Sequence, residues 1–369
     1  MPDYNDTPTA PSALSLDEIR RAINEVDTAL VSLLNRRASL SLAVGEIKRA
    51  GGHSEVFRPG READLLKKLE EMSSGPLPRE HLRAVYREIL SSSRYLQRPQ
   101  RVAFLGPEGT FSHIAGRELL GSLAEFHPKL SLPEVFAAVS DEACDIGIVP
   151  LENSLQGGIG QSFDLFLRHS DLHIRAETSC RIRHSLLSRE SGLSAVERVF
   201  SHPQPLAQCG LWLKSHLPRA ALLPLESTAA AARHVLQEPN AAAIAHMSLA
   251  AGLGLHILAQ DIEDSPGNRT RFVIIGRTPA DRPGTDKSSV LFAVPDKPGR
   301  LFSMLQIFAA NNINLRKLES RPMPGEPGNY VFFADLECDI LSEEFAPALE
   351  QAEEHSLFLR VLGSYPSNL

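Results

Sequence analysis

Three groups of residues in this chain have types and spacings suited to holding small anions. The first lies near the N-terminus: Arg20, Arg37, Lys48, Arg58, Arg61, Glu62, Ser93 and Gln97. At 100° per residue, Arg37 and Lys48 fall within about 20° of one another on a helix, while Arg20 lies about 100° away from Arg37, an angle that would let it enter a site on another chain. Arginine suits carboxylates through paired contacts, and Lys and Gln supply single donors. Taken by spacing alone, such cations read as a solvated helix face. The second group comprises GPEGTFSH (Gly106–His113), PLENSLQGGIG (Pro150–Gly160), SHPQPLAQC (Ser201–Cys209) and NRTRFVIIG (Asn268–Gly276). Arg271 and backbone N–H groups at a helix start over Gly157–Gly160 suit an anion. Singly, these segments read as turns and helix caps. His113, His184 and His202 share no metal-ligand spacing. The third group is DKPGRLFSML (Asp296–Leu305) and NLRKLESRP (Asn314–Pro322), where Gly299 allows close backbone approach to a ligand.

The elements that must carry these groups are legible in the periodicities. Ser15 and Glu18 form a capping box, and apolar residues then recur at Ile19, Ile23, Val26, Leu30, Leu33, Leu34, Leu40, Val44 and Ile47. This predicts one long helix of roughly 50 Å with an apolar seam. Shorter helices are expected over 61–72 and 78–96. One long and two short helices bury poorly alone, so an intertwined dimeric bundle is expected. After a hinge at 98–101, strands alternate with helices: Val102–Gly106, Asp145–Ser154, ERVFSH, AAAIA and RFVIIG. That pattern predicts an α/β architecture with parallel strands. A polar linker at 277–287 leads to strand 289–294, helix 300–310, strands 314–319 and 330–336, helix 343–353 and strand 357–362. This is the ferredoxin-like βαββαβ order.

The 369 residues suggest two or three domains, each able to bury a core at 43% hydrophobic and 22% charged residues. A formal net charge of −7 argues against a nucleic-acid partner. Four scattered cysteines, no basic-then-apolar leader and no apolar run of membrane length point to the cytoplasm and to no membrane. The tail 1–14, rich in Pro, Thr and Ser, is expected to be disordered.

The run RRAINEVDTALVSLLNRRASLSLAVGEIK, followed by Arg61–Glu62 and SSSRYLQ, resembles the all-helical class of chorismate mutase over residues 15–98. The resemblance implies that Arg20, Arg37, Lys48, Arg61, Glu62, Ser93 and Gln97 hold chorismate, with Arg20 reaching across a dimer. Converting chorismate to prephenate is an internal rearrangement, which needs orientation of a dicarboxylate and donors at the ether oxygen. Lys48 and Gln97 suit that oxygen. Arg58, in the candidate set, stands three residues before Arg61, where one branch of the family has an acidic residue, so the substrate contacts on that side depart from that branch's pattern.

The four central motifs resemble prephenate dehydratase over residues 101–279, with Thr270-Arg271-Phe272 intact and QGGI where EGSV is common. This implies two α/β lobes of periplasmic-binding-protein type with the active site in the cleft between them. Prephenate must lose carbon dioxide and a ring hydroxyl, so the site anchors one carboxylate, desolvates the other and assists hydroxide departure. The resemblance implies that Thr270 is essential, as a hydrogen-bond donor to the departing hydroxyl, with Glu152 or water as proton source. Glu152, Asn153, Ser154, Ser201, His202, Gln204, Gln208, Arg271 and Phe272 complete the candidate set.

The last two segments resemble a phenylalanine-sensing ACT module over residues 288–369, with ESRP complete at Glu319–Pro322. Phenylalanine between paired copies would meet Gly299, Leu301, Asn314, Leu315, Glu319 and Ser320. Together the resemblances imply a multidomain member of the bifunctional chorismate mutase/prephenate dehydratase family. Its parts are an all-α mutase bundle, a two-lobed α/β dehydratase domain and an α+β ferredoxin-like ACT domain. No metal or organic cofactor is expected; the partners are chorismate, prephenate, phenylalanine and further copies of the chain, as a homodimer or higher homo-oligomer. Two rivals stay open: an arogenate dehydratase, and a non-catalytic phenylalanine sensor, against which Thr270, Lys48 and Gln97 weigh.

Overall fold

The computed structural model describes residues 15–52, 55–281, 285–323 and 329–367. The expectation for the 1–14 tail lies outside the described residues. The chain divides into two compact units, one of the segment ending at Val56 with Ser92–Arg98, the other of Phe57–Ser91 with Pro99–Leu369.

In the first unit, α1 (Leu16–Ala50) runs unbroken for 35 residues. Its capping box is formed: the Ser15 hydroxyl accepts from the Glu18 N–H at 3.3 Å, and the Glu18 carboxylate accepts from the Ser15 N–H at 2.7 Å. The expected apolar seam is present and uncovered, with Ile23, Leu30, Leu33, Leu40 and Ile47 between 51% and 72% exposed. Gly45 is buried because the end of α3 (Arg79–Gln97) crosses α1 there; a Cβ on Gly45 would sit 2.9 Å from the Gln97 Cα.

The second unit holds α2 (Pro59–Met72), which begins on a proline as helix starts favour. The first free N–H groups of this helix, on Gly60 and Arg61, both donate to the Asp281 carboxylate at 2.9 Å. The first lobe follows with β1 (Arg101–Leu105), α4 (Phe111–Leu120), β2 (Glu125–Lys129), α5 (Leu132–Ser140), β3 (Ile146–Asn153), β4 (Gly157–Gly158), α6 (Gly160–Arg168) and β5 (His173–Arg181). The second lobe contains β6 (Ser185–Ser188), β7 (Arg198–Ser201), α7 (Pro203–Gln208), α8 (Gly210–His216), β8 (Ala221–Pro224), α9 (Thr228–His234), β9 (Ala241–Ala245), α10 (Ser248–Leu253) and β10 (His256–Ala259). The chain then returns to the first lobe as β11 (Arg269–Gly276).

The sheets are ordered β2-β1-β3-β11-β5, with β4 beside β3, and β10-β6-β9-β7-β8. The two lobes are therefore present, and parallel strands run through part of each, β1 beside β2 and β3 and β7 beside β8 and β9, as expected; the sheets are nonetheless mixed. β11 runs antiparallel to both β3 and β5, and β6 antiparallel to β9. The chain leaves the first lobe at the end of β5 and re-enters beside it, pairing Arg269 with Arg181, so the returning strand must point the other way. The helix start expected over Gly157–Gly160 also moves: Gly157 and Gly158 pair with Asn153 and Glu152, and α6 begins at Gly160.

The C-terminal part follows the expected order: β12 (Lys287–Ala293), α11 (Arg300–Ala310), β13 (Leu315–Pro322), β14 (Tyr330–Leu336), α12 (Ala346–His355) and β15 (Phe358–Tyr365). The antiparallel sheet β13-β14-β12-β15 buries Val290, Phe292, Ala334 and Leu336 with residues of its own helices. Its other face contributes Leu291, Val331, Phe333, Leu362 and Tyr365 to one core with Val273, Ile275 and Ile174 of the first lobe. The C-terminal sheet and the sheet of the first lobe thus share a core. Among the described residues no helix is long and apolar enough to cross a membrane.

Replacing a mid-helix glycine by alanine ordinarily gains about 1 kcal/mol of helix stability. For Gly45→Ala the contact with Gln97 wins, and denaturant titration should show a loss of about 1–3 kcal/mol, the usual cost of overpacking. A neutral or stabilised variant would contradict the close approach of α1 and α3.

Candidate active sites

Four of the first group's residues meet within the first unit. Arg37 donates to the Ser93 hydroxyl. Lys48 Nζ lies 2.9 Å from both Gln97 Oε1 and the Glu55 carbonyl, and Gln97 Nε2 donates to the Ser93 carbonyl at 3.0 Å. Helix spacing places Arg37 and Lys48 on the same face, and α3 brings Ser93 and Gln97 to it one turn apart. Arg20 is not among them; it is exposed and pairs with Asp17 at 3.6 Å. Arg58, Arg61 and Glu62 start α2 in the second unit, where Arg58 and Arg61 are exposed and Glu62 half-buried.

The second group is sorted by strand alternation. Thr270 pairs with Asn153 and Arg271 with Glu152 across β11 and β3. Successive side chains point to opposite faces. Thr270 and Asn153 are buried on one face, where Asn153 Nδ2 donates to Thr270 Oγ1 at 3.0 Å and to Asn268 Oδ1 at 2.8 Å. Asn153 Oδ1 accepts from the N–H groups of Leu155 and Gln156 at 3.1 and 3.3 Å, which fixes which end of the amide faces Thr270. Asn268 Nδ2 approaches Gln208 Oε1 at 3.4 Å, and His184 Nε2 lies 3.1 Å from the same oxygen. A chain of polar groups therefore runs from Thr270 in the first lobe to His184 and Gln208 in the second. Phe111 packs edge-on against His184 and His246, and His246 also lines an inter-lobe cavity of about 540 Å³ with Gly109, His113, Arg117 and Arg233.

Other candidates are placed differently. The Ser201 hydroxyl is buried and donates to the Ile244 carbonyl at 2.8 Å, tying β7 to β9. His202 caps α7 through its Nδ1, which accepts from the Gln204 N–H at 3.3 Å. Exposed Ser154 accepts from the Arg269 N–H at 3.0 Å. Phe272 lies in the core with Phe104, Ile148 and Phe57.

Arg271 and Glu152 face the C-terminal sheet. Arg271 donates to Glu177 Oε2 at 2.6 Å, to Asp335, and to the Tyr365 hydroxyl at 3.0 Å, leaving its side chain 13% exposed. Burial opposes its charge, but the Tyr365 oxygen, Asp335 and Glu177 more than offset this and hold its pKa above the ordinary arginine value. Glu152 lies 3.1 Å from Lys317 and 3.8 Å from Arg271. The anion-anchor role expected of Arg271, and the relay expected from Glu152 to Thr270, do not fit this geometry, because both side chains leave the opposite face of the ladder. Backbone groups near Gly158 and Gly160 are likewise covered, by Glu319 and by Arg321, which pairs with Asp164 at 3.1 Å.

The family model for prephenate dehydratase matches residues 102–280, that for chorismate mutase type II residues 19–98, and that for the ACT domain residues 288–354. Over 96% of its length the chain is 39% identical to the bifunctional chorismate mutase/prephenate dehydratase of Aquifex aeolicus, covering 98% of that protein. The chain belongs to the bifunctional chorismate mutase/prephenate dehydratase family. The Stutzerimonas stutzeri member is 38% identical, over 95% of this chain and 97% of its own. The crystal structure of a prephenate dehydratase from Arthrobacter aurescens in complex with L-Phe is 35% identical, covering 72% of this chain and 90% of its own with a TM-score of 0.67.

The candidate ligand residues of the ACT domain in this family member fall on different surfaces. Gly299 adopts a left-handed backbone with φ of 83° at the start of α11, a conformation that favours glycine. Leu301 and Leu315 pack against the domain's own core, and Asn314 pairs with Glu337 at 2.5 Å. On β13, Glu319 faces the dehydratase lobe while Ser320 is exposed on the other side. Sequence reasoning left Asn268, His184, Asp335 and Tyr365 without roles. Asn268 stood in a quoted motif, two residues before Thr270; the others carry no local signal.

Burial holds the His184 imidazole below its ordinary value of 6.5, against the opposing pull of Gln208 and Glu263. Its Nδ1 is buried without a partner among the described residues, so a second proton there would be an unsatisfied donor. A depressed pKa gives stability present in full above the ordinary value and lost as pH falls below it towards the folded value. His113 and His246 are lowered chiefly by burial too. The melting midpoint should therefore be level above pH 7 and fall below about 6.5, and His184→Gln should remove part of that fall. An unchanged acid limb in the variant would contradict the assignment.

Proposed function

We propose that this chain converts chorismate to prephenate and prephenate to phenylpyruvate, and that phenylalanine inhibits it through the ACT domain. We assign residues 15–98 to the mutase, 101–279 to the dehydratase and 288–369 to regulation. Membership of the bifunctional family supports the two reactions, and one observation carries the dehydratase chemistry: the polarity of the hydrogen bonds that end on Thr270.

In the mutase step the reacting bonds lie within one molecule, so the protein supplies orientation and electrostatics. Arg37 holds a carboxylate of chorismate. Lys48 and Gln97, already adjacent, present donors to the ether oxygen as negative charge builds there. Arg20 is directed to the partner's site, and the uncovered seam of α1 supports a homodimer formed along that helix. Four free cysteines, Cys144, Cys180, Cys209 and Cys338, all buried, accord with the cytoplasm.

In the dehydration, Thr270 Oγ1 accepts from Asn153, so its own proton is directed elsewhere, to the departing hydroxyl of prephenate. The C–O bond breaks as the ring carboxylate leaves as carbon dioxide, its electrons forming the aromatic ring. The departing hydroxide takes up a proton that bulk solvent supplies through a water at Thr270 and leaves as water, so the step consumes one solvent proton. Asn268, Gln208 and His184 hold Asn153 in the orientation that makes Thr270 a donor.

Two substitutions separate the activities. Thr270→Ala should lower phenylpyruvate formation by about 100-fold or more while leaving mutase turnover unchanged. Lys48→Ala should do the reverse, lowering prephenate formation from chorismate by about 100-fold while prephenate supplied directly is still dehydrated. Loss of both activities in either variant would contradict the separation. Leu33→Glu, placing charge in the α1 seam, should shift the sedimenting mass towards a single chain and take mutase activity with it.

A further inference from the structure

We infer that Asp335 and Tyr365, two residues of the regulatory sheet, are positioning residues for the dehydration, acting through Arg271 on the strand that carries Thr270. The inference rests on the reading of Thr270 given above.

Arg271 follows Thr270 on β11 but points the other way, into a largely buried polar cluster. Its three nitrogens meet Glu177, Asp335 and Tyr365. Lys287 completes the set, 3.0 and 2.9 Å from the two Glu177 oxygens and 3.7 Å from Asp335. Ser289 donates to Asp335 at 2.5 Å and lies 2.6 Å from the Tyr365 hydroxyl. Asp335 is 1% exposed and Tyr365 fully buried. Burial would raise the Asp335 carboxyl, but Arg271 and Lys287 hold it below its ordinary value, so the cluster stays charged. Two cations and two carboxylates balance.

A buried ion cluster is a weak way to glue two sheets, because desolvation cancels much of the attraction; apolar residues would hold them as well. Apolar residues already do so here, through Leu291, Val331, Phe333 and Leu362. The charges add a single permitted register, since Arg271 meets its partners in one alignment of β11 against β12, β14 and β15. The neighbouring strand is held similarly. Glu152, opposite Arg271 on the ladder, is gripped by Lys317 of β13, which also pairs with Glu319 at 3.1 Å. Both ties sit one residue from the Thr270–Asn153 pair, about 3.4 Å along the strand. A displacement of β13 or β14 thus reaches the cleft directly through β3 and β11.

The test uses the full-length protein and four variants: Asp335→Asn, Tyr365→Phe, Arg271→Gln and the double variant Arg271→Gln/Asp335→Asn. Dehydratase kcat and KM for prephenate are measured beside phenylalanine binding by calorimetry and its inhibition at saturation. Misplacing a reacting group by about 1 Å can cost 100-fold. Asp335→Asn should lower kcat at least about tenfold with KM moved less than about threefold, and the milder Tyr365→Phe should lower kcat severalfold. Phenylalanine should still bind both variants, yet inhibit only partially. The double variant should be no slower than the slower single one, because both act through one contact. Wild-type kcat and full inhibition in Asp335→Asn and Tyr365→Phe, with only a lower melting midpoint, would overturn the inference. If Thr270→Ala keeps wild-type turnover, the underlying reading fails instead.

Discussion

Strand alternation across two adjacent rungs of the β3–β11 ladder governs how the second unit is arranged. Thr270 and Asn153 leave one face for the cleft, and Arg271 and Glu152 leave the other for the regulatory sheet. No loop separates the two sets, so anything that moves one moves the other. On the proposed reading, the chemistry and its control are adjacent by backbone geometry.

The cleft side is a chain of neutral groups and the regulatory side a cluster of charges. Each is suited to its task. On the proposed reading, hydrogen-bonded amides and a neutral imidazole impose direction on Thr270 without adding charge where a carboxylate must be shed. A buried charge cluster is weak glue, and on the proposed reading it favours one register of the two sheets. Arg360 strengthens the grip on the first lobe by donating to the carbonyls of Phe166, His169 and Leu172 at the end of α6. The mutase unit works by simpler means, since its reaction needs no proton transfer. The close approach at Gly45 sets Gln97 against Lys48, and the rest is helix geometry.

Much of this was legible from local pattern. The capping box at Ser15–Glu18, the seam of α1 and the βαββαβ order of the last eighty residues all depend on near neighbours, and all are present. Thr270, Asn153 and Gln208 were found through motifs; the first two meet directly, and Gln208 joins them through Asn268. What sequence reasoning missed depends on distant pairing. The direction of β11 follows from the chain crossing to a second lobe and returning. The partners of Arg271 lie as far as 94 residues away. The carboxylate at the start of α2 comes from Asp281, more than 200 residues on. Periodicity names the face on which Arg271 lies but cannot say that another domain covers it.

The most direct measurement gives the purified protein chorismate alone and follows prephenate and phenylpyruvate over time, with and without phenylalanine. Transient prephenate followed by phenylpyruvate, with the second step slowed when phenylalanine is present, is the predicted result. Prephenate accumulating without phenylpyruvate would contradict the account of the cleft, and chorismate left untouched would contradict that of the helical unit.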